Sequence, residues 1–93
     1  MPNKLNASHI LVKTEPEANV VYYDVTHGKS FEEVAELKSL CPSGKKGGNL
    51  GWFGRNQMVK EFENAAFSLK KGEISKPVKT QFGWHIIQVI DNA

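Results

Sequence analysis

The C-terminal end of the chain constrains the fold most, because two strand-prone runs there are separated by only three residues. Pro77-Val78-Lys79-Thr80 leads through Gln81-Phe82-Gly83 into Trp84-His85-Ile86-Ile87-Gln88-Val89-Ile90. β-branched and aromatic side chains favour strands, and a short glycine-containing link between two such runs closes a hairpin. Successive side chains of a strand point to opposite faces. His85, Ile87 and Val89 therefore face one way, and Trp84, Ile86, Gln88 and Ile90 the other.

The remaining segments are short and alternate in character. Residues 5–13 read as a strand around Ile10, Leu11 and Val12, with His9 and Leu11 on one face and Ser8, Ile10 and Val12 on the other. Thr14-Glu15-Pro16-Glu17 has the form of a capping box. Ala18, Val21, Tyr22 and Val25 follow at the spacing of one helical face, although the run Val20-Val21-Tyr22-Tyr23 has strand propensity. Gly28 supplies a stop, and Ser30-Phe31-Glu32-Glu33 opens a second short helix that buries Phe31, Val34 and Ala35 and frays by Ser39-Leu40. Residues 41–49 hold three glycines and a proline and read as a loop. Leu50–Gly54 reads as a brief strand. Phe62, Ala65, Ala66 and Leu69 give the clearest amphipathic helix, with Lys70 and Lys71 complementing its dipole and Gly72 ending it. Strand, short helices, strand, helix and a closing hairpin make an α+β domain with a small, largely antiparallel sheet.

Ninety-three residues suffice for one core, so residues 1–93 are read as a single domain. With 40% apolar and 24% charged residues the composition is that of an ordinary globular protein. The net charge of +2 lacks the concentrated basic stripe of a nucleic-acid or membrane binder, and Lys45-Lys46 sits in a glycine-rich loop. No signal-peptide or membrane-spanning run is present in the sequence. The only cysteine is Cys41, so no internal disulfide can form; a reducing cytoplasm is the expected location and a monomer the expected state.

Few residues carry chemistry. His9 and His85 each lie mid-strand among apolar neighbours, near opposite ends of the chain, and first and last strands often pair in small sheets. Each is open to a structural or a functional reading. His27, just before Gly28, reads as a helix C-terminal cation. No two candidate ligands show zinc-site spacing, so no metal is expected. Cys41 fits either a nucleophile or a small apolar filler. Met58 and Phe62, four apart at the start of the best helix, fit core packing or an apolar peptide groove.

Taken together these segments resemble the parvulin family of peptidyl-prolyl isomerases. Ser8-His9-Ile10-Leu11-Val12-Lys13 is similar to the opening strand of parvulins, and Cys41-Pro42-Ser43-Gly44 through Gly47-Gly48-Asn49-Leu50-Gly51 to their central loop. Gln57-Met58-Val59 with Phe62–Phe67 resembles the last helix, Gly72-Glu73-Ile74-Ser75 the turn after it, and Thr80–Ile87 the terminal hairpin. The likeness runs in order from about residue 5 to residue 90 and is nearest to the small single-domain prokaryotic parvulins. Glu61 stands where many relatives carry proline, and Trp84 where tyrosine is commoner.

The resemblance implies a four-stranded, largely antiparallel sheet flanked by helices in β-α-α-α-β-α-β-β order, the parvulin or FKBP-like arrangement. It implies that His9 and His85 sit side by side behind the catalytic pocket, that Cys41 faces the substrate carbonyl, and that Thr80 joins the histidine network. It implies that Leu50, Met58 and Phe62 receive the proline ring, with Phe82 at the rim. The expected activity is rotation of Xaa-Pro bonds in proline-containing peptides and unfolded or folding chains, with no cofactor. Phospho-dependent parvulins carry a basic cluster after the first strand. Here Lys13-Thr14-Glu15-Pro16-Glu17 places two carboxylates there, which predicts unphosphorylated substrates. The alternative function is a binding module that holds proline-containing or unfolded segments with little catalysis.

Overall fold

The computed structural model of the chain describes residues 3–93. Its elements are β1 (Lys4–Val12), α1 (Glu15–Thr26), α2 (Phe31–Lys38), a 3-10 helix (Pro42–Lys46), β2 (Asn49–Gly54), α3 (Lys60–Phe67), β3 (Val78–Thr80) and β4 (Gly83–Asn92). The strands form one sheet of order β2-β1-β4-β3 with every neighbouring pair antiparallel. First and last strands thus lie together at its centre, and both are covered on two faces.

That double cover explains why Ile10-Leu11-Val12 and Ile86-Ile87 read as continuous apolar runs. On one face Ile10, Val12 and Ile86 pack against Ala18, Val21 and Val25 of α1 and Phe31, Val34 and Ala35 of α2. On the other, Leu5, Ala7, Ile87 and Val89 meet Phe53 of β2 and Phe62 and Ala66 of α3. Leu5, Ile10, Ile86 and Ile87 are fully buried. Each is worth about 1.5–3 kcal/mol of burial. The strand-prone run 20–23 is nevertheless helical. Thr14 Oγ1 caps the helix by accepting from the Glu17 amide, and the buried stripe Ala18, Val21, Val25 has helical period. Packing of that stripe outweighs the propensity of the outward-facing Val20 and Tyr23.

The structure corrects four local expectations. Residues 42–46 form a five-residue 3-10 helix rather than open loop, so the third helical piece before β2 is not an α-helix. Helix α3 begins at Lys60, leaving Met58 in the segment before it, and stops at Phe67. Its last turn tightens through Ser68 and Leu69 amides donating to Ala65 and Ala66 carbonyls, while Ser68 Oγ donates to the Asn64 carbonyl. Lys70 and Lys71 lie beyond the helix, where Lys71 pairs with Asp91. The closing hairpin has a two-residue turn, Gln81-Phe82, because Thr80 pairs with Gly83. At the Thr14 capping box, the Glu17 carboxylate accepts from the Thr14 hydroxyl at 2.9 Å.

One glycine bears directly on the centre of the sheet. The Gly48 carbonyl accepts from the His9 amide at 2.9 Å, and Gly48 has φ +85°. A Cβ there would fall 2.4 Å from the His9 carbonyl oxygen, which as backbone cannot yield. Gly72, at φ +88°, has open space around the same position. Gly48→Ala is expected to destabilise the protein by about 2 kcal/mol or more, and Gly72→Ala by about 1 kcal/mol, the left-handed penalty alone. Urea denaturation of the two variants measures the difference.

Candidate active site

Strand register brings the two central histidines together. Along β1 and β4, Leu11 pairs with His85 and His9 with Ile87, so the imidazoles are diagonal neighbours on the α3 face. Both are buried, with Nδ1 of His9 2.9 Å from Nδ1 of His85 and the ring planes 17° apart. Thr80, at the end of β3, places Oγ1 2.7 Å from His85 Nε2 and accepts from the Phe82 amide at 3.1 Å. Phe62 of α3 stands roughly perpendicular to both imidazoles, 5.5 Å and 5.3 Å from their centroids.

Hydrogen-bond counting assigns the protons. The Thr80 oxygen accepts from the Phe82 amide, and its one hydrogen is best placed on the bond to His85 Nε2, the acceptor within reach. His85 Nδ1–H then donates to His9 Nδ1, and His9 carries its proton on Nε2, which has no partner within the protein. His9 Nε2 is unpaired either way, but the reverse chain would also leave the Thr80 hydroxyl hydrogen unpaired, so the first arrangement is favoured. It requires two neutral rings. Burial, and then the proximity of His85, lowers His9 from the usual 6.5 to about 4; burial lowers His85 to about 4.

In front of the pair lies an apolar cavity of about 380 Å³. Leu50, Met58 and Phe62 line it together with His9 and His85, and Cys41 and Phe82 complete its wall, so seven of the eight residues singled out in the sequence converge. The eighth, Thr80, is not in the wall and reaches the site through His85 and the Phe82 amide. Sequence reasoning missed Leu11, Leu40, Pro42 and Val59, which line the same space. It also missed Ser39. Ser39 Oγ accepts from the Leu11 amide at 3.1 Å and the Cys41 amide at 3.4 Å, and the Leu40 amide donates to the Leu11 carbonyl at 2.8 Å. Those bonds tether the Cys41 segment to the strand that carries His9.

Cys41 is half-buried, and its thiol is not hydrogen-bonded to either histidine of the pair. His85 uses both nitrogens, His9 uses Nδ1, and His9 Nε2 is unpartnered. A nucleophilic cysteine needs a base or cation within reach, and neither His9 nor His85 is hydrogen-bonded to the Cys41 thiol. His27 lies away from the cavity, stacked on Tyr23 and with Nδ1 2.8 Å from the Tyr23 carbonyl. Among the described residues, no three His, Cys, Asp or Glu side chains converge as a metal site would require.

The rotamase family described as the PPIC-type PPIASE domain matches residues 9–91. The chain belongs to this family of peptidyl-prolyl isomerases. Among curated relatives, the isomerase domain is 55% identical over 89 residues to the foldase protein PrsA 1 of Bacillus cereus, covering 95% of this chain and 31% of that one. It thus spans about a third of the length of the curated relatives it matches. The crystal structure of the PrsA isomerase from Bacillus anthracis superposes with a TM-score of 0.97 at 43% identity, over 99% of this chain and 43% of that chain. The solution structure of NmPin, the parvulin of Nitrosopumilus maritimus, superposes with a TM-score of 0.87 at 43% identity, over 98% of this chain and 99% of that one. The sheet and helix arrangement inferred from the sequence is that of these parvulin structures.

Because both folded-state histidine values lie below 6.5, the unfolded chain takes up protons first as pH falls. Stability from the neutral pair is therefore complete above about pH 6.5 and is lost progressively down to about pH 4. Isomerase activity of the folded domain should stay level from pH 8 to about pH 5.5 and fall toward pH 4, where two imidazolium donors can no longer share one bond. Exchange NMR against pH, with circular dichroism tracking the folded fraction, measures both; an activity midpoint near 6.5 would mark ordinary exposed histidines.

Proposed function

We propose that this domain accelerates Xaa-Pro rotation in unphosphorylated peptides and folding chains without covalent chemistry, by holding the twisted amide in the apolar cavity. The observation that carries the proposal is the wall of Leu50, Met58 and Phe62 backed by the buried histidine pair. Prolyl bonds face a barrier of roughly 18–20 kcal/mol, and no bond need be made or broken to cross it. Twisting removes amide resonance, so the carbonyl oxygen loses negative character and the nitrogen gains basicity. Water stabilises the polar planar amide more than the twisted one, so a dry pocket lowers the barrier. A thousandfold acceleration requires only about 4 kcal/mol of differential stabilisation.

In this reading Met58, Phe62 and Leu50 take the proline ring, and Cys41 lies beside the carbonyl as a small contact rather than a nucleophile. The exposed Leu40 and Phe82 at the mouth meet the residues flanking proline. His9, His85 and Thr80 act as one hydrogen-bonded backing that keeps the pocket in shape. Glu15 and Glu17 occupy the first turn of α1, immediately after β1, where a phosphate would meet like charge. With no basic cluster beside them, unphosphorylated substrates follow. The domain is proposed to act as a monomer in the cytoplasm, where Cys41 stays reduced.

Exchange NMR on a short unphosphorylated Xaa-Pro peptide tests the proposal. Wild type should accelerate exchange, while Phe62→Ala and the half-buried Met58→Ala should each lower kcat/KM by about tenfold or more. Cys41→Asp should keep most activity, whereas a Cys41 nucleophile would lose it entirely. Phosphorylating the residue before proline should give no gain in rate. Tight peptide binding without acceleration would favour the binding module instead.

A further inference from the structure

Glu63 is a buried carboxylate for which the isomerase mechanism has no use. It follows Phe62 on α3, its side chain is 11% exposed, and both of its oxygens are engaged. Oε1 accepts from the Asn56 amide at 2.5 Å, and Oε2 accepts from Arg55 Nη1 at 3.3 Å. The Arg55 guanidinium in turn lies 4.3 Å over the Phe67 ring. Burying a carboxylate costs stability unless its partners are well placed, and an apolar residue would fill the volume at less cost. What the carboxylate provides is geometry.

The segment it holds is unusual. Asn56 has φ +67°, the only positive φ at a non-glycine position among the described residues. Val59, the N-cap of α3, supplies no side-chain cap. Gln57 Oε1 accepts from the Gly54 amide at 3.1 Å, which ties the turn back to β2 but leaves the helix entry to be fixed from elsewhere. Glu63 supplies that fixation from within the helix. Its amide donates to the Val59 carbonyl at 2.9 Å, and its carboxylate holds the Asn56 amide. One residue thereby grips both ends of segment 56–59, and Met58 and Val59 in that segment line the cavity.

We propose that Glu63 is a positioning residue for substrate binding, setting the Met58-Val59 wall of the pocket through the Asn56 turn. This rests on the reading of the cavity as the proline site. The role depends on reach more than on charge, because the amide it holds is neutral. Glu63→Gln keeps the length and one acceptor oxygen; Glu63→Asp keeps the charge but falls one methylene short. Exchange NMR over a range of peptide concentrations separates kcat from KM.

Glu63→Asp should raise KM by about fivefold with kcat within about twofold of wild type, while Glu63→Gln stays within about twofold in both. Loss of folded protein alone would lower apparent kcat at constant KM. That result in Glu63→Asp, an unchanged KM, or a KM raised as far by Gln as by Asp would overturn the proposal. Wild type run alongside separates the two readings. Acceleration by wild type with an unchanged KM in Glu63→Asp removes only the role of Glu63, whereas no acceleration by wild type removes the proline-site reading as well.

Discussion

Everything at the functional end of this domain depends on one hydrogen bond, between Nδ1 of His9 and Nδ1 of His85 at 2.9 Å. It needs one protonated and one bare Nδ1, so the accepting ring must be neutral, and the donating ring is neutral too once its Nε2 accepts from Thr80. Neutrality comes from burial, which takes both groups to about 4. Burial in turn comes from the sheet order, which places β1 and β4 at the centre with helices on both faces. Sheet topology, core packing and proton placement are thus successive consequences of pairing the first strand with the last.

The same pairing organises the pocket. Once the histidines form its floor, the remaining walls are brought in by separate tethers. Ser39 binds the Cys41 segment to β1, and the Gly48 carbonyl receives the His9 amide. Thr80 joins the hairpin turn to His85, and Glu63 ties the approach to α3. In the proposed reading these tethers hold the cavity wall and its histidine backing in place and do not meet the substrate themselves. A catalyst that works by shape and dryness has little chemistry to lose and much geometry to keep. Its sensitive positions are therefore spread over the whole chain rather than clustered in one motif.

Much of this was legible in the sequence. The alternation in β4 placed His85, Ile87 and Val89 on one face, and His9 with Leu11 on one face of β1, before any register was known. The helical stripe Ala18, Val21, Val25 and the Thr14 cap predicted α1 against the strand propensity of Val20 and Tyr23. The resemblance to parvulins supplied what periodicity could not, that Leu50, Met58, Phe62 and Cys41 share one cavity. What stayed hidden depends on backbone hydrogen bonds between distant segments. Ser39 looks like a fraying helix end, and only the chain's return to Leu11 gives its hydroxyl two amides to hold. Glu63 reads as one more charge on an amphipathic helix until the turn at Asn56 folds over it. The glycines of residues 41–49 suggested open loop, although Pro42 can open a 3-10 turn and Gly47 can end it at positive φ.

The most direct test of the account is the protonation pattern of the two imidazoles, read by nitrogen-15 NMR of the histidine rings at neutral pH. The account predicts two neutral rings of opposite tautomer, His85 protonated at Nδ1 and His9 at Nε2, both unchanged between pH 8 and about pH 5.5. An imidazolium at neutral pH, or the same tautomer in both rings, would contradict it.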